Sequence, residues 1–142
     1  MINFKAALRT TLLLVDDDRL QLELRALVLK MSGFSVLTAS SPAEAISIVA
    51  QHPEREIDLA IVDYQMPLMN GCVLADYLKE RYRGLKVILH SGEMEIPESE
   101  MGSIDAFVPK SDGVARLLEE VSMTARISAA APEQLLGGEA YA

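Results

Sequence analysis

Residues 59–71 of the chain read LAIVDYQMPLMNG. The apolar run Leu59–Val62 is short and ends at a polar residue, a pattern that is typical of a fully buried strand. Asp63 follows the run directly, and Pro67 and Gly71 bracket a tight loop after it. The stretch therefore predicts a buried strand that presents a carboxylate at its C-terminal end.

Three other apolar runs of the chain end at polar residues in the same way. They are Thr11–Val15 before Asp16 and Asp17, residues 86–90 before Ser91, and residues 105–109 before Lys110. If all four runs are parallel strands of one sheet, their polar residues emerge together at the edge where open α/β sheets bind ligands. Three acids predict a site for a hard divalent cation such as Mg2+, and a lysine with a hydroxyl suits a phosphoryl group.

Helical patterns alternate with these strands and predict a doubly wound parallel sheet. The first helix, which ends before Gly33, is indicated by apolar residues at helical spacing: Leu20, Leu24, Leu27, Val28 and Met31. A further strand is predicted over residues 34–38, and a capping box that begins at Ser41 opens the second helix. This alternation gives an α/β fold with helices on both faces, and five strands favour the flavodoxin-like order 2-1-3-4-5.

The second half of the chain continues the same pattern with one weak element. A third helix is predicted over residues 72–83, and a last helix carries one apolar face made of Val114, Leu117, Leu118, Val121 and Ala125. Residues 92–104 are acidic and contain Pro97 and Gly102. We therefore expect a short or irregular fourth helix between the fourth and fifth strands.

The length of 142 residues fits a single domain with a core of normal size. We expect the folded domain over residues 11–127. An N-terminal arm, residues 1–10, precedes it, and a loosely ordered tail rich in Ala and Gly, residues 128–142, follows it.

The composition of the chain excludes several classes of function. The net charge is −8 and the pI is about 4.7, so the phosphates of a nucleic acid would be repelled and direct binding is not expected. Cys72 is the single cysteine, which excludes an intrachain disulfide and a zinc cluster and favours a reducing, cytoplasmic location. No apolar stretch approaches the ~18 residues of a membrane span, so we expect no membrane partner.

At four blocks the chain resembles the receiver domains of bacterial two-component response regulators of the chemotaxis-regulator type. The blocks are residues 13–17 (LLVDD), 62–71 (VDYQMPLMNG), 88–92 (ILHSG) and 106–110 (AFVPK). The second block is specific by itself, and all four stand in the family's order at suitable spacing over about residues 11–124. The resemblance implies a phosphoacceptor domain of a phosphorelay with a flavodoxin-like fold.

By this resemblance, Asp63 accepts a phosphoryl group from a sensor histidine kinase or a histidine phosphotransfer protein. Mg2+ would be held by Asp17, by Asp63 and by the main-chain carbonyl of Gln65, with Asp16 helping through water. Lys110 would pair with Asp63 before transfer and with a phosphoryl oxygen after it. The chain would catalyse its own phosphorylation and dephosphorylation and would not otherwise be an enzyme.

The resemblance also implies a switch. Ser91 would hydrogen-bond a phosphoryl oxygen, and Phe107 stands at the family's switch aromatic position and would move inward with Ser91. The flanking positions Gln65, Gly92 and Glu93 would set the lifetime of the phosphorylated state. The sequence does not identify the output protein, and a homodimer is compatible with it. Because the chain ends soon after the last helix, we expect a stand-alone receiver or an excised fragment of a larger regulator.

Three features depart from the family pattern. Pro109 precedes Lys110, where the family more often has proline after the lysine, so the fifth strand should lie at the edge of the sheet. The hydroxyl residue is Ser91 instead of threonine, which is a common variant. Residues 92–104 are shorter and more acidic than the usual fourth crossover, so the output surface should be unusual.

Two rival functions remain open from the sequence. In a haloacid-dehalogenase-type phosphatase, Asp16 would be the nucleophile and Asp18 the acid/base. Against this, the chain lacks a later acidic pair after Lys110 to hold Mg2+, it has no room for a cap domain, and the loop after Asp63 stays unexplained. In a degenerate receiver, the domain would only dock to partners. The intact acids, hydroxyl and lysine argue against that second reading.

Overall fold

The computed structural model describes residues 10–53, 56–92 and 95–125. Five strands form one parallel sheet: β1 Thr11–Val15, β2 Ser35–Ala39, β3 Leu59–Val62, β4 Lys86–Ser91 and β5 Ala106–Pro109. Their order is β2-β1-β3-β4-β5, as predicted from the sequence. The expected tail and nearly all of the expected N-terminal arm lie outside the described residues.

Helices follow the strands, and the first three begin at side-chain caps. The helices are α1 Arg19–Met31, α2 Pro42–Gln51, α3 Gly71–Arg81 and α4, which is described over residues 113–125. Asp18 caps α1 by accepting from the Gln21 N–H, and Ser41 caps α2 by accepting from the Glu44 N–H. In the described part of the chain, no helix has the length and apolarity needed to cross a bilayer.

The sheet separates two apolar clusters, one on each face. Successive residues of a strand point to opposite faces, so β1 sends Leu13 and Val15 to one cluster and Leu12 and Leu14 to the other. The first cluster packs α2 and α3 against the sheet, and the second packs α1 and α4. Because β1 and β3 are covered on both faces, their sequences are continuous apolar runs.

Helix α1 buries a different face from the one that its spacing of large apolar residues suggests. Leu22, Ala26 and Leu29 are buried against the sheet. The residues at helical spacing in the sequence are mostly on the water side: Leu20, Leu24, Leu27 and Met31 are 55–76% exposed. The spacing thus predicts the helix correctly, but its orientation on the sheet is set by other contacts.

The fourth crossover is irregular, as expected, and is anchored beside the carboxyl edge of the sheet. A 3-10 helix, Glu98–Ser103, replaces a full α-helix. The Glu100 carboxylate accepts hydrogen bonds from the Tyr64 hydroxyl and from Asn70 Nδ2, both at 3.1 Å. The crossover is therefore tied to the loop that follows β3. β5, which ends at Pro109, is an edge strand, as the proline requires.

Candidate functional site

Three carboxylates meet where β1 and β3 end. Asp16 and Asp17 follow β1 and Asp63 follows β3, and the register pairs Val15 with Val62, so the two strands end side by side. One carboxylate oxygen from each acid lies within 4.8 Å of the other two. Asp16 and Asp63 are buried, whereas Asp17 is exposed and opens the cluster to solvent.

Lys110 supplies a positive charge to this cluster. Its Nζ lies 3.3 Å from Asp63 Oδ2 and 3.2 Å from Asp16 Oδ2. Burial raises the pKa of Asp63 above its ordinary value, the Asp16 charge raises it further, and Lys110 and the Gln65 N–H oppose the shift. Because the pKa of Asp63 is higher in the folded than in the unfolded protein, the folded state loses stability as the pH rises through this raised pKa. A bound cation would favour the ionised carboxylate and would offset that loss.

Asp16 is bonded through both carboxylate oxygens. Its Oδ1 accepts from the Asp18 N–H at 2.9 Å, and its Oδ2 accepts from Arg25 Nη1 at 2.8 Å and from Lys110 Nζ. The sequence analysis did not identify Arg25 as a site residue. Arg25 is a charged residue between Leu22 and Leu29, and it can be recognised as a site residue only once the buried face of α1 is known.

Ser91 and Phe107 are neighbours on one face of the sheet. The β4–β5 register pairs Leu89 with Phe107 and Ser91 with Pro109, and alternation places Leu89, Ser91 and Phe107 on the same face. Ser91 is fully buried, and Phe107 is half-buried against the cluster that contains α3. The two predicted switch residues therefore lie on the same face of two neighbouring strands, Ser91 on β4 and Phe107 on β5.

The loop after Asp63 forms one wall of an open cleft beside the acids. The cleft has a volume of about 460 Å³ and is lined by Asp17, Tyr64, Gln65, Met66, Pro67 and Asn70. The Gly71 N–H donates to the Tyr64 carbonyl at 3.0 Å and closes the loop. Gln65 and Gly92 are exposed, and Glu93 lies outside the described residues.

The donor set fits a magnesium ion. All three side chains of the cluster offer carboxylate oxygens, the ligands that hard divalent cations prefer, and the exposed side at Asp17 leaves room for water ligands. The repulsion between Asp16 and Asp63, which raises the pKa of Asp63, would be relieved by a cation.

Replacing Asp17 with Asn should remove most of the thermal stabilisation by Mg2+. At ten times the dissociation constant, the wild-type protein should gain about 1.4 kcal/mol, which corresponds to roughly 4 °C in Tm. Thermal unfolding with and without MgCl2, followed by circular dichroism, measures the shift. An equal shift in Asp17→Asn would place the metal elsewhere.

The arrangement does not favour the rival phosphatase. The cluster combines Asp16 with Asp17 and Asp63, whereas Asp18 is exposed and its carboxylate caps α1. A phosphatase that uses Asp16 and Asp18 as nucleophile and acid/base would need Asp18 directed to the substrate.

Comparison with known proteins gives one consistent family. The family model of the response regulator receiver domain matches residues 12–122. Over 109 residues the chain is 29% identical to a putative two-component response regulator, ARR21, of Arabidopsis thaliana, an alignment that covers 76% of this chain and 18% of that protein. It is 36% identical over 88 residues to the transcriptional regulatory protein GlrR of Escherichia coli, covering 62% of this chain and 19% of GlrR. The chain thus spans about a fifth of the length of these two relatives.

Solved structures share the fold. A CheY-like response regulator receiver domain protein from Methanospirillum hungatei superposes with a TM-score of 0.77 at 24% identity, over 84% of this chain and 95% of that chain. The response regulator TrrA from Thermotoga maritima, solved in complex with Mg2+ and BeF, gives a TM-score of 0.74 at 26% identity, over 81% of this chain and 98% of that chain.

Proposed function

The chain belongs to the response regulator receiver family, and from this premise we propose that it accepts a phosphoryl group on Asp63 in a two-component phosphorelay. The observation that carries the proposal is the Asp63 carboxylate. It lies at the carboxyl edge of the sheet, 3.3 Å from the Lys110 ammonium and within one cluster with Asp16 and Asp17. A receiver domain is a signalling domain, and the proposed chemistry is limited to its own modification.

In the proposed reaction an Asp63 oxygen attacks the phosphorus of a phosphohistidine. The P–N bond breaks, the imidazole leaves with the bonding electrons and takes up a proton, and an acyl phosphate forms on Asp63. Lys110 can follow the negative charge from the carboxylate to a phosphoryl oxygen, because its Nζ already lies beside Asp63 Oδ2. Ser91 is proposed to bind another phosphoryl oxygen, and Phe107 to follow it inward.

Asp17, Asp63 and the Gln65 carbonyl would hold Mg2+, with Asp16 contributing its charge. When bound, the ion would offset the repulsion between the Asp63 carboxylate and the incoming phosphoryl group. The cluster of three carboxylates and the similarity to TrrA, which was solved with Mg2+ and BeF, support the binding of a divalent cation at this site.

We propose a sensor histidine kinase or histidine phosphotransfer protein as the phosphodonor. The features shared with the family do not identify the output protein, which would bind the face that carries Ser91 and Phe107. A cytoplasmic location and a homodimeric state are further proposals that the single cysteine and the fold are compatible with.

Phosphorylation with acetyl phosphate and Mg2+, followed by mass spectrometric mapping of the modified peptide, tests the function. We expect one acid-stable, base-labile phosphate on Asp63 that requires Mg2+. A phosphate on Asp16 would instead support the phosphatase, and the absence of phosphate on the protein would support a docking module. Either outcome would contradict the proposed function.

Replacing Gly92 with Val should slow the loss of phosphate from Asp63. Gly92 follows Ser91 and is exposed, and a Cβ at this position would meet no atom within 4 Å, so the larger side chain can be accommodated. It would cover the approach of water to phosphorus, which glycine leaves open. The decay of phosphorylated protein after removal of the phosphodonor measures the effect, and equal decay rates would show that Gly92 does not control water access.

A further inference from the structure

Arg25 reaches from the buried side of α1 to the acid cluster. Its Nη1 donates to Asp16 Oδ2 at 2.8 Å, and its Nη2 donates to Gln21 Oε1 at 2.8 Å, one turn earlier on the helix. The Arg25 side chain is 18% exposed and that of Asp16 is 3% exposed. Because both partners are largely shielded from water, their attraction is stronger than that of an ordinary surface pair.

Arg25 changes the charge balance of the site. The carboxylates of Asp16, Asp17 and Asp63 face two cations, Lys110 and Arg25, so one net negative charge remains. His90 adds no charge at neutral pH, because burial and the two neighbouring cations lower its pKa to about 4. Without Arg25, the site would carry two net negative charges and would attract a divalent cation more strongly.

The two cations share Asp16, and only Lys110 also contacts Asp63 among the ion pairs of the described residues. Lys110 Nζ lies at similar distances from Asp16 and Asp63, 3.2 and 3.3 Å. Arg25 Nη1 lies closer to Asp16, at 2.8 Å. Because Arg25 already neutralises the charge of Asp16, Lys110 does not have to do so. Its charge stays available for Asp63, where the proposed reaction needs it.

We propose that Arg25 is a positioning residue that serves as an internal counterion of the metal site. It holds Asp16 in the metal-free protein, and it lowers the affinity of the three acids for Mg2+. The inference rests on the proposed function, since it requires that these acids bind the ion. Both Asp16 oxygens already accept hydrogen bonds, so Asp16 can act on the ion through its charge, while the exposed Asp17 is open to solvent as a direct ligand.

Calorimetric titration of the whole chain with MgCl2 tests the proposal in Arg25→Met and in a matched control, Arg19→Met. Arg19 lies on the same helix, is exposed, and loses the same charge when replaced. Removing one buried positive charge beside the ion should tighten Mg2+ binding about tenfold, while the exposed control should stay close to wild type. The metal-free Arg25→Met protein should also melt at a lower temperature and gain more from Mg2+.

Unchanged or weaker Mg2+ binding in Arg25→Met would overturn the inference while leaving the proposed function intact. If this variant does not fold without metal, Arg25→Gln gives the same test, because glutamine can still donate to Asp16 but carries no charge. A wild-type protein that binds no Mg2+ would contradict the proposed function itself, and the inference would fall with it. Labelling of Asp63 by acetyl phosphate separates these two failures.

Discussion

Asp63→Asn should abolish the incorporation of phosphate from acetyl phosphate. The amide removes the nucleophilic oxygen and the negative charge that faces Lys110, whose Nζ lies 3.3 Å from Asp63 Oδ2. Asparagine has nearly the same shape, so the fold should persist. It should even gain stability at neutral pH, because burial opposes the charge of Asp63 and raises its pKa. Intact-protein mass spectrometry and thermal unfolding measure the two effects.

Asp18→Asn is the matched control for this experiment. It makes the same chemical change two residues from Asp16, and asparagine caps a helix as well as aspartate does, so α1 should be retained. We expect labelling at the wild-type level, since the Asp18 carboxylate is exposed and caps the helix. If Asp18→Asn abolished labelling and Asp63→Asn did not, the phosphatase assignment would replace the receiver assignment.

The strands were predictable because burial on both faces restricts their residues to apolar types. β1 and β3 are covered by helices on both faces, so every residue of Leu12–Val15 and Leu59–Val62 must be apolar, and the first polar residue marks the strand end. Asp16 and Asp63 are those first polar residues, and Asp17 follows Asp16 directly. The alternation of strands and helices predicted the parallel sheet, and the flavodoxin-like order, favoured for five strands, placed Asp16, Asp17 and Asp63 side by side.

The orientation of α1 was not predictable in the same way. The helix carries two apolar stripes, one through Leu20, Leu24 and Leu27 and one through Leu22 and Leu29, and periodicity cannot choose between them. Packing against the sheet selects the second stripe. This choice also brings Arg25 to Asp16, so the ion pair could not be inferred before the buried face was known.

For the fourth crossover, the sequence predicted only that the helix would be short or irregular. Pro97, Gly102 and the scarcity of apolar residues argue against a full helix, and the structure has a short 3-10 helix there. Its anchoring depends on side chains far apart in the sequence, since Glu100 accepts from Tyr64 and Asn70. Such a contact has no local signal. It links the crossover to the residue next to Asp63.

Gly71→Ala should destabilise the domain strongly. A Cβ at Gly71 would lie 2.3 Å from the Asp63 carbonyl oxygen and 3.0 Å from Leu89 Cδ1. The first contact is with backbone that leads directly into the site, so relief requires the loop or β3 to move. We expect a loss of about 3 kcal/mol in the free energy of unfolding, or roughly 10 °C in Tm, with weaker labelling of Asp63. Chemical and thermal unfolding measure the loss.

Gly84→Ala provides the control that separates close packing from a general cost of replacing glycine. No atom lies within 4 Å of a Cβ built at Gly84, so the methyl group can enter without displacing its surroundings. We expect a change within about 0.5 kcal/mol, with labelling at the wild-type level. Equal losses in the two variants would contradict the steric explanation. A loss confined to Gly71→Ala would show that glycine is needed at the start of α3 because the helix begins against the Asp63 carbonyl.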